Sequence, residues 1–155
     1  MVYSIRYQFN QRFAVPARKA FSWCTDYDPG DHALMGEANA KRQVTHLTDT
    51  TIILTETFQT SSGSVEKQKL VQLYPDRLSW ISTHLAGPNK YSQFIYEISS
   101  KNPKASRLKF TALHLEYEKS PLSEADVKSL ERKLHKGDAD VWKLLAKAME
   151  EQLLS

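Results

Sequence analysis

The sequence predicts an α+β fold: a curved antiparallel sheet of six to seven strands wrapped on a long C-terminal helix, with two short helices after strand 1. Three observations carry this. Residues 3–13 alternate with period two, residues 40–117 run as strand after strand, and the spacing turns helical after Pro121. Short connections favour antiparallel neighbours, because parallel strands need long crossovers. So many strands in one sheet twist and curl. The apolar stripe of the last helix then needs the concave face to cover, and a curved sheet on a straight helix leaves a space between them.

The first strand places Tyr3, Ile5, Tyr7, Phe9 and Phe13 on one face and Ser4, Arg6, Gln8, Asn10 and Arg12 on the other. Pro16 ends it and suits a first helical turn, where its missing N–H has no partner to lose. Ala17, Ala20, Phe21 and Cys24 follow at helical spacing, Asp28-Pro29-Gly30-Asp31 reads as a turn, and a second short helix is expected from His32 to Met35. Thr50–Phe58, Val65–Tyr74, Leu78–Leu85, Tyr91–Ile98 and Arg107–Tyr117 read as strands. Polar turns at Thr60–Ser64, Tyr74–Arg77, Ala86–Asn89 and Ser100–Lys104 separate them. Ser123 offers a helix cap with Glu124 and Asp126 in the first turn. Val127, Leu130 and Leu134 form one stripe, and Val141, Leu144, Leu145 and Ala148 another. Gly137-Asp138 between them either separates two helices or sits inside one long helix at a cost of about 1 kcal/mol; the long helix is favoured.

Length and composition narrow the class. At 155 residues the chain suits a single domain spanning 1–155, and one core of that size buries roughly 70% of the unfolded surface. A net charge of +3 is too mild to demand nucleic acid or an anionic membrane. Cys24, the single cysteine, excludes an intrachain disulfide and a multi-cysteine metal site. The opening residues lack a signal-peptide pattern, and no apolar run approaches the ~20 residues of a spanning helix. A soluble, cytoplasmic protein with no integral membrane association is expected.

Phe13-Ala14-Val15-Pro16-Ala17-Arg18-Lys19-Ala20-Phe21-Ser22-Trp23 resembles the strand-to-helix transition of the START/Bet v 1-like (SRPBCC) superfamily, which includes the polyketide cyclase/dehydrase and lipid-transport group. Element order extends the resemblance over nearly the whole chain. It implies a helix-grip fold with an apolar or amphipathic ligand held between sheet and helix. It names no ligand, because fold and function separate freely.

No phosphate-binding glycine loop, dinucleotide fingerprint or nucleophile elbow is present among only five glycines. Cys24 lacks a local signature of an activated thiol and reads as a small buried hydrophobe. None of the five histidines forms a zinc-type pair, and the acidic loop Asp26–Asp31 does not match a calcium loop, so no metal and no cofactor is expected. Phe94 and Tyr96 lack the companion motif of RNA-binding sheets. His84 shares a strand face with Leu78, Trp80 and Ser82, and His114 one with Leu108, Phe110, Ala112 and Glu116. Inward faces bring two imidazoles into an apolar cavity to orient a ligand or move protons; otherwise both are satisfied or strand-end histidines. Glu56 follows Ile52 and Leu54 on one face and is either a buried, perturbed carboxylate or a partner of Lys67 or Lys69.

The expected cavity wall comprises Glu56, Trp80, His84, Phe94, Tyr96, Phe110, His114, Val141 and Leu145, with Tyr27, His32, Met35 and the Ala86–Asn89 turn at its entrance. The expected function is binding or transport of a small apolar or amphipathic molecule. Two alternatives stand beside it: a cyclase/dehydrase-type enzyme using the cavity His and Glu as acid and base, and a protein-interaction module with a filled core.

Overall fold

The computed structural model describes residues 1–27 and 40–154. Seven strands form one antiparallel sheet: β1 (Val2–Phe13), β2 (Ala40–Thr48), β3 (Thr51–Thr60), β4 (Gly63–Tyr74), β5 (Ser79–Ala86), β6 (Gln93–Asn102) and β7 (Ala105–Tyr117). Their spatial order is β1-β7-β6-β5-β4-β3-β2. A meander of hairpins thus runs from β2 to β7, and β1 returns along the far side of β7, with Val2 opposite Tyr117 and Phe13 opposite Ser106. Register shifts interrupt the β2–β3, β4–β5 and β6–β7 ladders. An extra residue in one strand bends it and adds twist, which coils the sheet.

Helix α1 (Ala17–Cys24) begins after Pro16 and buries Ala17, Ala20 and Phe21. The Thr25 hydroxyl and amide both bond to the Phe21 carbonyl and close its last turn. The second short helix expected at His32–Met35 lies outside the described residues. Helix α2 (Glu124–Leu154) is one continuous helix of 31 residues, with Gly137 inside it rather than between two helices. Ser123 caps it reciprocally: its hydroxyl accepts from the Asp126 amide at 3.1 Å, while Asp126 Oδ2 accepts from the Ser123 amide at 3.2 Å.

The core lies between the inner sheet face and α2. Phe13 and Trp142 meet at 6.3 Å between ring centres, and the His135 ring lies 5.8 Å from those of Tyr7 and Phe9. The Ala14 amide donates to Glu150 at 2.9 Å and the Trp23 indole to Gln152 at 2.8 Å, fixing the end of α2 against the strand-to-helix corner. Leu144, expected on the buried stripe, is 48% exposed, because Trp142, Leu145, Ala146 and Met149 form the packed face instead. Leu78 and Tyr91, expected as strand starts, take left-handed backbone (φ 49° and 70°) in the turns before β5 and β6. Among the described residues no helix is long and apolar enough to cross a membrane.

Candidate functional site: a cavity between sheet and helix

Sheet and α2 enclose a cavity of about 360 Å³, within the usual range for small-molecule sites. Its apolar wall is aromatic, and strand register explains why. Trp80 on β5 lies opposite Tyr96 on β6, which lies opposite Phe110 on β7. Trp80 and Tyr96 stack with centres 4.7 Å apart and planes 3° from parallel; Phe110 meets the Tyr96 ring edge-on at 5.3 Å. Phe94 continues the surface toward His84, and α2 contributes Leu134, Val141, Trp142 and Leu145.

One end is basic. Arg42 on β2, Glu56 on β3 and Lys67 on β4 lie abreast, so all three share the inner face. Glu56, only 1% exposed, accepts at Oε2 from the Arg42 guanidinium (3.1 and 2.9 Å) and pairs at Oε1 with the Lys69 ammonium. Arg42, Lys67 and Lys69 reach the cavity wall; Glu56 does not. The Arg42 guanidinium also sits 5.5 Å from the centre of the Tyr27 ring, whose hydroxyl burial holds strongly protonated.

His84, 4% exposed, stands beside this corner as the register partner of Lys69. Its Nδ1 lies 3.0 Å from the Asn89 side-chain oxygen in the β5–β6 turn. Burial, reinforced by the Lys69 charge, pushes its pKa down to about 3, so the ring is neutral near pH 7.

A second polar site lines the cavity from β1 and α2. The Tyr7 hydroxyl on β1 donates to the Asp138 carboxylate. Burial raises the pKa of both, and for Asp138 it outweighs the opposing effect of the Tyr7 hydrogen bond. His114 also lines the cavity, but its Nε2 is engaged by Glu116, two residues along the same strand, at 2.6 Å. Among the described residues no His, Cys, Asp and Glu cluster could hold a metal ion.

No family model and no curated protein matches the sequence. Solved structures do match in shape. The Zhui aromatase/cyclase from Streptomyces sp. R1128 superposes with a TM-score of 0.78 at 10% identity, covering 97% of this chain and 96% of that one. A protein from Thermus thermophilus gives 0.75 at 11% identity, over 96% and 99%. A START superfamily protein from Mycobacterium smegmatis gives 0.71 at 15% identity, again over 96% and 99%. The chain has the START/Bet v 1-like fold.

Within this START-like frame, Trp80, His84, Phe94, Tyr96, Phe110, His114, Val141 and Leu145 line the cavity, as does Tyr27. Glu56 lies off the wall because its carboxylate serves the cations around it. His32 and Met35 lie outside the described residues. Cys24 is half-buried at the cavity rather than sealed in the core. Sequence reasoning passed over Tyr7, Arg42, Ser82, Asp138 and Trp142 as wall residues, and Asn89, expected in the entrance turn, lines the wall as well. Asp138 did leave a signal: it stands four residues from both Leu134 and Trp142, which puts a carboxylate within the apolar stripe.

Proposed function

We propose that the protein binds or carries a small amphipathic molecule in this cavity. The supporting observation is the space itself: stacked aromatics line it, and its wall also carries a basic corner and the Tyr7–Asp138 pair. A ligand burying about 200 Å² of apolar surface gains about 5 kcal/mol, and the polar groups fix its orientation. An open cavity supports ligand binding over the filled core expected of a protein-interaction module.

One observation favours a second reading, a cyclase/dehydrase-type enzyme. The cavity holds an unprotonated imidazole at His84, which can accept a hydrogen bond, and a carboxyl at Asp138 that burial keeps protonated to higher pH than usual, the direction a general acid needs. The Zhui protein is described as an aromatase/cyclase, which makes keto-rich aromatic precursors the first substrates to try.

Native mass spectrometry with organic extraction, and titration with the neutral fluorophore N-phenyl-1-naphthylamine, test the binding reading. A saturable signal is expected, and Val141→Trp, which places an indole in the cavity, is expected to weaken it at least about tenfold. No extractable adduct together with no saturable fluorescence, or unchanged binding in Val141→Trp, would overturn it.

A further inference from the structure

The polar groups around His84 define more than a generic polar end. With the Asn89 amide oxygen, which can only accept, turned to the ring, the contact at 3.0 Å assigns the proton to His84 Nδ1. In a neutral imidazole the other nitrogen, Nε2, is then a bare acceptor. Nδ1 is occupied on the turn side, which leaves Nε2 as the ring nitrogen available to a ligand beside Phe94.

Lys69 stands across the ladder from His84 on the same inner face, and Lys67 two residues before it on that strand also reaches the cavity. An ammonium only donates, and Lys69, with one N–H directed to Glu56 Oε1, keeps others to offer. The cavity wall therefore sets an obligate acceptor beside an obligate donor. Few ligand groups match both. A ketone oxygen or ether oxygen satisfies the lysine but presents lone pairs to Nε2, and a carboxylate repels Nε2 more strongly still. A hydroxyl does both, because it has one hydrogen to give and two lone pairs to accept.

We propose that this corner is a hydroxyl-recognition subsite, in which a ligand phenol or alcohol donates to His84 Nε2 and accepts from Lys69. The subsite rests on the ligand-binding reading and narrows it to hydroxyl-bearing amphipaths. Asn89 is the positioning residue: its bond to Nδ1 fixes which nitrogen is left for the ligand. Lys67 on β4 and Glu56 on β3 also act on His84, and the other titratable side chains lining the cavity include Arg42 on β2, His114 on β7 and Asp138 on α2. The low imidazole pKa agrees with a ring that stays an acceptor at neutral pH.

Three naphthalene probes separate the possibilities at pH 7: 2-naphthol, 2-methoxynaphthalene and 2-naphthoate, each titrated into the whole protein. A buried acceptor left unmet by the ether loses about 1–3 kcal/mol, so 2-naphthol is expected to bind roughly ten- to a hundredfold tighter than its methyl ether. His84→Phe is expected to erase that preference while retaining the ether. Asn89→Ala is expected to reduce it, since the ring is then free to switch tautomer. Long-range ¹H–¹⁵N NMR of His84 reads the tautomer without any ligand and should show Nδ1 protonated and Nε2 bare.

Equal binding of naphthol and ether would overturn the subsite while leaving the cavity reading intact. Tighter binding of 2-naphthoate would replace it with an anion site. Absence of binding by all three would overturn both readings. An Nε2-protonated or cationic His84 at pH 7 would overturn the subsite even if His84→Phe fails to fold.

Discussion

Replacing Glu56 by Gln tests how deeply the basic corner is desolvated. Arg42 lies 2.9 Å from the Glu56 carboxylate, and the two side chains are 7% and 1% exposed. At an effective dielectric of about 20, charges at that separation attract by about 6 kcal/mol. Desolvating two ions costs a comparable amount, so the intact pair is close to neutral for stability. Glu56→Gln forfeits the attraction and leaves the Arg42 and Lys69 cations where they are. The expected loss is about 3–5 kcal/mol, which in a domain of this size lowers Tm by about 10 °C. Thermal and urea unfolding at pH 7 measure it. A double-mutant cycle with Arg42→Met isolates the pair, with an expected coupling of about 2 kcal/mol or more. A Tm within about 2 °C of the parent, or a coupling below about 0.5 kcal/mol, is the behaviour of a solvated surface pair. Either result would refute the claim that this corner is dry.

Four other outcomes are expected. Gly137→Ala in α2 should stabilise by about 0.5–1 kcal/mol in urea melts, because a Cβ there meets nothing within 4 Å; Gly87→Ala should destabilise, since φ is +114° and its Cβ would crowd Lys67 and the Glu66 carbonyl at 3.1 and 3.2 Å. His84 has a depressed folded pKa, so the stability it contributes is complete above the ordinary value of 6.5 and declines as pH falls toward about 3; Tm measured across that range should fall less steeply in His84→Gln. Tyr7→Phe removes the hydrogen bond that holds the Asp138 pKa down, so its destabilisation should grow as pH rises through the Asp138 pKa; equal losses at acidic and neutral pH would count against the pairing.

The fold was legible because its signals are periodic. Alternation along residues 3–13 and 79–84 matches the faces that turn inward, and the stripe after Pro121 matches α2. The aromatic wall followed from the same alternation at Trp80, Phe94, Tyr96 and Phe110. Polar wall residues were harder to read because periodicity records faces, not neighbours. Arg42 becomes informative only when register sets it against Glu56. Tyr7 reads as core until α2 brings Asp138 to its hydroxyl, a contact between opposite ends of the chain. Leu144 misled for a related reason: apolar residues one apart on a helix point in different directions, and only packing decides which is covered.

The sheet order also governs how the molecule can be assembled. The meander from β2 to β7 closes through successive hairpins, each needing only neighbouring residues. β1, which precedes the whole meander in the chain, has no partner until β7 exists. Closing that large loop is entropically costly and slow. Until then Tyr3, Ile5, Tyr7 and Phe9 form an unpaired, aromatic-rich strand, the kind of segment that recruits other chains. Helix α2 follows later still, and the cavity has no lid before it arrives. Ligand capacity thus waits on α2, and β1 is the strand that stays longest without its partner.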